Sequence, residues 1–249
     1  MRRLTERRLL RTLSAVLLGL YWQAAGAESI ETVTEDSSYS YMQDGKVSGA
    51  ASRIVEAVLK QAGLSDYHMA IYPWARAYDR ALREPNVIIY PILRSQDREQ
   101  LFKWVGRLDW TVPVLYKLRA TPPLRIAVLQ DAIAYRVGVL RDDYREKYLH
   151  DQGFTRLVVA ASNQENFNRL LNSQVQLVAM PERDARKFCA DAHVPFETLE
   201  KAYAMDDLSR EIYIAFSRST SDEVVDRVRA AYEQLQSAGT IQRLLQEQP

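Results

Sequence analysis

Six side chains in the first half of this chain combine flat aromatic surface with fixed positive charge: Tyr39, Tyr41, Trp74, Arg76, Arg94 and Arg98. A guanidinium forks bidentately onto a carboxylate, and a hydroxyl at a helix start adds a donor, so Ser95 followed three residues later by Arg98 is suited to hold an anion. The same spacing also lets Arg98 pair with Asp97 or Glu99, and the local sequence leaves both readings open. Trp74 and Arg76 open a helix in "YPWARAY" (72–78), where Trp74 either walls a ligand or packs with Tyr78 four residues on. Arg94 reads equally as a third cation of the site or as part of a solvated face.

Other chemistries lack their residues. The histidines are His68, His150 and His193, and the pair Cys189/His193 alone would make an incomplete zinc site. No G-x-G, P-loop or G-x-S-x-G spacing occurs. An enzyme would need an acid such as Glu165 or Glu182 in a dry cleft with a raised pKa.

These residues sit among alternating strand and helix signals. Strands are expected at 30–35, 67–72 and 86–92, with helices at 51–63, closed by Gly63, and from Pro73 onward. The order recurs with strands at 135–140, 156–160 and 175–180 and helices at 142–153 and 162–172, the latter opened by a Ser162–Glu165 capping box. Two β-α-β-α-β blocks predict two sheets, each with its own core. A last strand at 211–218 and helices at about 220–237 and from Thr240 predict a return to the first sheet, with crossings near 115–119 and 207–212. The expected organisation is α/β, with lobe 1 at 28–117, lobe 2 at 118–210 and a return segment of lobe 1 at 211–249; a single fused sheet is the alternative.

Residues 1–27 read as an export signal: Arg2, Arg3, Arg7, Arg8 and Arg11, a short apolar run at 13–22, and "AGA" before a cut after Ala27. The alternative is an N-terminal membrane anchor. Removing the segment takes five arginines from 33 Lys/Arg and one glutamate from 32 Asp/Glu, leaving 28 against 31, net −3. That charge argues against nucleic acid or anionic lipid as a partner. One cysteine, Cys189, excludes an internal disulfide.

"TEDSSYSYMQDGKVSG" (34–49), "YPWARAY", "ILRSQDRE" (92–99), "YRVGVLRDD" (135–143) and "LLNSQVQLV" (170–178) together resemble the bacterial family 3 extracellular solute-binding proteins, periplasmic receptors of polar amino acid ABC importers. The resemblance implies a two-lobed, type II-like periplasmic-binding-protein fold joined by a two-strand hinge. It implies a monomer that closes on a small ligand, needs no cofactor and delivers its cargo to an inner-membrane ABC permease. Ser95 and Arg98 fall on the family's carboxylate-reading element. Three positions depart: "GAASR" carries Arg53 where an acid is usual, Met180–Pro181 stands at the ammonium-gripping aspartate, and Arg141–Asp142–Asp143 replaces a glycine-threonine turn. These departures speak against the usual grip on a free α-amino acid. Asp142, Asp143 and Glu182 are then the replacement acids, or simply acids at helix N-termini. Strand carboxyl ends face the crevice in such sheets, which puts Trp74 and Arg76 at the cleft mouth with Tyr39 and Tyr41 completing an aromatic wall. That cleft suits a carboxylate-bearing ligand. A periplasmic sensor without transport is the alternative, and a binding-protein-derived dehydratase a further one.

Overall fold

The computed structural model describes residues 29–246; the segment read as an export signal lies outside them. Strand β1 (Ile30–Thr34) leads through a small hairpin, β2 (Tyr41–Gln43) and β3 (Lys46–Ser48), into helix α1 (Ala50–Gln61). Strand β4 (Tyr67–Ile71), helix α2 (Trp74–Arg83) and strand β5 (Val87–Leu93) follow. Ile54, Val55, Val58 and Leu59 form the buried stripe of α1, as a 3.6-residue period requires, and Gly63 ends it at φ +70. Pro73 proves to be the residue before α2 rather than its first, a one-residue shift of the kind helix ends show.

The long strand β6 (Phe102–Thr111) then returns through the same sheet. The second half contains β7 (Pro113–Leu118), β8 (Val137–Leu140), α3 (Tyr144–Asp151), β9 (Leu157–Ala160), α4 (Asn163–Leu171), β10 (Leu177–Pro181), α5 (Glu182–Asp191) and β11 (Leu199–Ala204). The chain closes with β12 (Arg210–Ser217), α6 (Asp222–Ser237) and α7 (Thr240–Gln246). Ser162 accepts from Glu165 N as the capping pattern predicts, while the Glu165 carboxylate accepts from Ala161 N.

Two five-stranded sheets result, in the orders β4-β1-β5-β12-β6 and β11-β7-β10-β8-β9, so the fused-sheet alternative is not adopted. β1 runs parallel to β4 and β5, and β12 lies antiparallel between β5 and β6. In the second sheet β8 is parallel to β9 and β10, with β7 antiparallel to β10 and β11. Helices cover both faces of each. Val58, Ile88, Phe216 and Val228 share one core of the first sheet, and Ala77, Ile89, Ile92 and Phe102 the other. Phe167 and Phe188 anchor one face of the second sheet, Leu149 and Phe154 its opposite face.

The chain changes sheet at Val112: Thr111 pairs with Arg210 in the first, and Pro113 with Pro181 in the second. Proline lacks a backbone donor and is tolerated as a strand's first residue, which suits Pro113 to open β7. The expected limit at 117 thus falls inside β7. The return runs between Ala204, paired with Val114, and Arg210.

Candidate ligand-binding site

The carboxyl ends of six parallel-running strand segments meet where the two sheets face each other. β1 leads to Glu35, β4 to Trp74, and β5 to Arg98; β8 leads to Asp143 and Arg145, β9 to Asn163, and β10 to Asp184. Between them lies a chamber of about 50 Å³ lined by Glu35, Tyr39, Trp74, Arg98, Arg145 and Asp184 among others. Leu93, Arg98, Asp143 and Tyr144 line both this chamber and an outer groove of about 1050 Å³.

Arg98 is 8% exposed, and its guanidinium carbon lies 5.3 Å from the Trp74 ring centre and 4.9 Å from that of Tyr78. Nη1 donates to Leu93 O at 3.4 Å. Among the described residues no carboxylate comes within 4.0 Å of it, so neither Asp97 nor Glu99 takes the role that the sequence spacing allowed. A buried charge without a counterion is costly, and the aromatic faces offset only part of that.

Arg145 is held differently. Its Nε and Nη2 meet Asp143 Oδ1 and Oδ2 at 2.5 and 3.1 Å, and Nη1 donates to Ala179 O at 3.3 Å. Asp143 also caps α3 by accepting from Arg145 N at 2.8 Å. Glu35 accepts from Asn163 Nδ2 at 2.9 Å. Burial pushes its carboxyl up to about 8; Arg145 opposes that shift, and the negative Asp143 and Asp184 reinforce it. Burial and the adjoining Asp109 carboxylate raise the Tyr39 phenol, whose hydroxyl donates to Asp109 at 2.7 Å.

Several bonds join the lobes directly. Trp74 Nε1 donates to Asp142 O at 3.0 Å, and Ser38 N to Asp184 Oδ1 at 2.8 Å. Lys187 pairs with Asp36 at 3.1 Å, and Lys147 with Asp97 at 3.8 Å.

Of the residues expected at the site, Tyr39, Trp74, Arg98 and Asp143 line the inner chamber, and Ser95 and Asp142 the outer groove. Tyr41 lies on a separate groove of about 680 Å³ beside Asp36 and Lys187. Four residues sit apart from the chamber. Arg76 is exposed and stacks on the Tyr72 ring at 4.6 Å, because the second helical residue after Trp74 points to the opposite side of α2. Arg94 donates from Nε and Nη2 to the two carboxylate oxygens of Glu99, at 2.8 and 2.6 Å, and stacks on Trp104 and Tyr213. Arg141 is exposed. Glu182 turns to Lys201 and Arg186, which lower its pKa. Glu165 is also lowered, by the Ala161 backbone N–H and by Arg169. Burial instead raises Glu35 in the inner chamber and Asp36 on the separate groove.

Sequence reading missed Glu35, Arg145, Asn163 and Asp184. One signal was present for Arg145: a cation in the first turn of a helix opposes the macrodipole and needs a reason to be there. Glu35 carried a weaker one, as the residue leaving the first strand toward the crevice.

Among the described residues no group of three or more His, Cys, Asp or Glu could hold a metal ion, and no helix is long and apolar enough to cross a membrane. No protein-family model matches the chain, and no curated protein matches its sequence. Solved structures do. A histidine kinase sensor domain similar to periplasmic binding proteins superposes with a TM-score of 0.78 at 15% identity, covering 87% of this chain and 94% of that one. A P235GK mutant of ArgBP from T. maritima gives 0.77 at 12%, covering 88% and 94%. The arginine-, lysine- and histidine-binding protein ArtJ of Geobacillus stearothermophilus gives 0.74 at 17%, covering 89% and 97%. At these identities the likeness is one of architecture: this chain has the two-lobed α/β fold of the periplasmic binding proteins.

Proposed function

We propose that the chain is a periplasmic solute receptor whose lobes close on a small carboxylate-bearing ligand, gripped by Arg98, and that it passes this cargo unchanged to an inner-membrane ABC permease. The observation that carries the reading is the buried Arg98 guanidinium, which meets no carboxylate of the described residues at the junction of the lobes. A ligand carboxylate supplies the missing counterion and two charge-assisted hydrogen bonds, each worth about 1.5–3 kcal/mol. Moving a two-state population from 1:99 to 99:1 takes about 5.5 kcal/mol, so two such bonds and one aromatic contact on Trp74 suffice to drive closure. The structural likeness to ArtJ and ArgBP supports a receptor of this kind.

A thermal-shift screen with amino acids, opines, polyamines and small carboxylates tests the reading. A ligand at a hundred times its dissociation constant adds about 2.7 kcal/mol to stability. Arg98→Ala should weaken carboxylate binding at least about thirtyfold by calorimetry, matching about 2 kcal/mol. Arg98→Lys should recover little, because one ammonium cannot reproduce the planar fork. Polyamines outranking every carboxylate would remove the anion site.

The likeness to a kinase sensor domain favours a second reading, a receptor that reports its ligand to a membrane partner. Uptake of labelled ligand separates the two. Its loss in cells lacking this chain indicates transport, and unchanged uptake with a lost response indicates sensing.

A further inference from the structure

Glu35 of the first lobe lines the inner chamber together with two acids of the second, Asp143 and Asp184. An ionised carboxylate offers about four lone-pair sites, and water serves all of them. In the closed protein Glu35 has one donor, the neutral Asn163 amide at 2.9 Å. Among the described residues its other oxygen takes no hydrogen bond, and no cation lies within 4.0 Å of either. We infer that closing the lobes takes up a proton at Glu35, so that closure, and the capture of any ligand that depends on it, strengthens as pH falls.

Every element around Glu35 enters this balance. The start of α3 brings Asp143, Tyr144 and Arg145, α4 brings Asn163, and α5 brings Asp184. Arg145 favours the ionised form but is committed to Asp143 at 2.5 and 3.1 Å, while Asp143 and Asp184 oppose it. From its own lobe, Arg98 lies against Trp74 and Tyr78, the Tyr39 hydroxyl is given to Asp109, and Asp36 pairs with Lys187 at 3.1 Å. Burial outweighs the rest and moves the carboxyl up to about 8. The other two acids of the chamber have partners that Glu35 lacks. Asp143 holds Arg145 and caps α3. Asp184 accepts from Ser38 N at 2.8 Å and sits in the first turn of α5, where the helix dipole favours negative charge.

Asp143, Arg145, Asn163 and Asp184 all belong to the second lobe. Opening therefore removes them together and returns Glu35 to water, where the ordinary value is 4.5. The closed form has the higher pKa and binds the extra proton. Between about 4.5 and 8, each unit fall in pH multiplies the closed-to-open ratio by up to about tenfold. The gain is complete below that window and is lost as pH rises through 8.

Two measurements on the purified protein, without added ligand, test this from pH 5 to 9. Carboxyl NMR of glutamate-labelled protein reads the Glu35 midpoint, its signal assigned by loss in Glu35→Gln, and small-angle scattering reads opening. Glu35 should titrate well above 4.5, and the radius of gyration should grow over the same range. Glu35→Gln should hold a constant radius, and Asp184→Asn should keep the dependence. A Glu35 midpoint near 4.5, a radius that stays constant while Glu35 titrates, or a pH-dependent radius surviving in Glu35→Gln overturns the proposal. Loss of the dependence in Asp184→Asn places the proton on the other lobe and overturns it equally. Because no ligand enters the test, each of these outcomes leaves the anion site at Arg98 as it stands.

Discussion

Asn163 Nδ2 lies 2.9 Å from Glu35 Oε2, joining the first turn of α4 to the tip of β1 across 128 positions of sequence. This bond ties the two lobes at a carboxyl group that burial has raised to about 8.

Glu35 should make stability fall with rising pH. Its native pKa, about 8, stands above the ordinary 4.5, so the native state keeps a proton that the unfolded chain releases. The stabilising contribution is complete below about 4.5 and is lost as pH rises through 8. Glu35→Gln retains an acceptor for Asn163 and cannot ionise. Thermal melts from pH 5 to 9 should show a flatter profile for this variant and a higher melting temperature at pH 8. Parallel profiles for the two proteins would mean that Glu35 titrates as a solvated acid.

Trp74→Phe should loosen the closed arrangement while preserving the fold. Phenylalanine keeps an aromatic face for Arg98 and loses the indole donor to Asp142 O. A neutral hydrogen bond contributes about 0.5–1.5 kcal/mol net, which corresponds to about a two- to thirteenfold change in the closed-to-open ratio. Small-angle scattering without added ligand should show a larger radius of gyration. An unchanged radius would mean that this bond has no part in holding the lobes together.

Arg145→Met should be the most damaging of these substitutions. Both partners of the Arg145–Asp143 pair are buried, and removing one strands the other charge, costing about 3–5 kcal/mol. Adding Asp143→Asn should restore part of the loss, since the stranded charge is then gone. Urea titration measures both, and a double variant no more stable than Arg145→Met would contradict the coupling.

Gly106→Ala should destabilise the first lobe by about 1–3 kcal/mol, the usual cost of overpacking. A Cβ there would meet the Tyr232 ring at 2.3 Å, where α6 crosses β6. Tyr232→Phe keeps the ring and should not relieve the clash, whereas Tyr232→Ala should. Chemical denaturation of the paired variants checks this.

How far the fold was legible depends on the range of the signal. The stripe of α1, the apolar β5 and the capping serine of α4 are local patterns, and each marks its element within a few residues. β6 and β7 escaped because a glycine such as Gly106 weakens a strand signal and Pro113 resembles a break; in the structure the glycine admits Tyr232 and the proline opens a strand. At the site, Trp74, Arg98 and Asp143 could be named because each follows a strand whose end was already placed. Residue type did not separate Arg94 from Arg98, and the Ser95–Arg98 spacing left a pairing of Arg98 with Asp97 or Glu99 open. What separates them is that Glu99 closes on one guanidinium, whereas the other lies buried between Trp74 and Tyr78.

The amino-acid sequence alone therefore determined the alternation of elements, the two-block organisation and the supply of cations at strand ends, because side-chain period and capping chemistry act over a few residues. The tertiary structure alone decided that Arg98 is buried at the cleft without a carboxylate partner among the described residues and that burial raises Glu35. Glu35 owes its raised pKa to burial with Asp143 and Asp184 beside it, set against Arg145, and all three of those charges arrive from the facing lobe more than a hundred positions away. Electrostatic and desolvation energies follow distance and burial in space, and no local pattern in the chain encodes either.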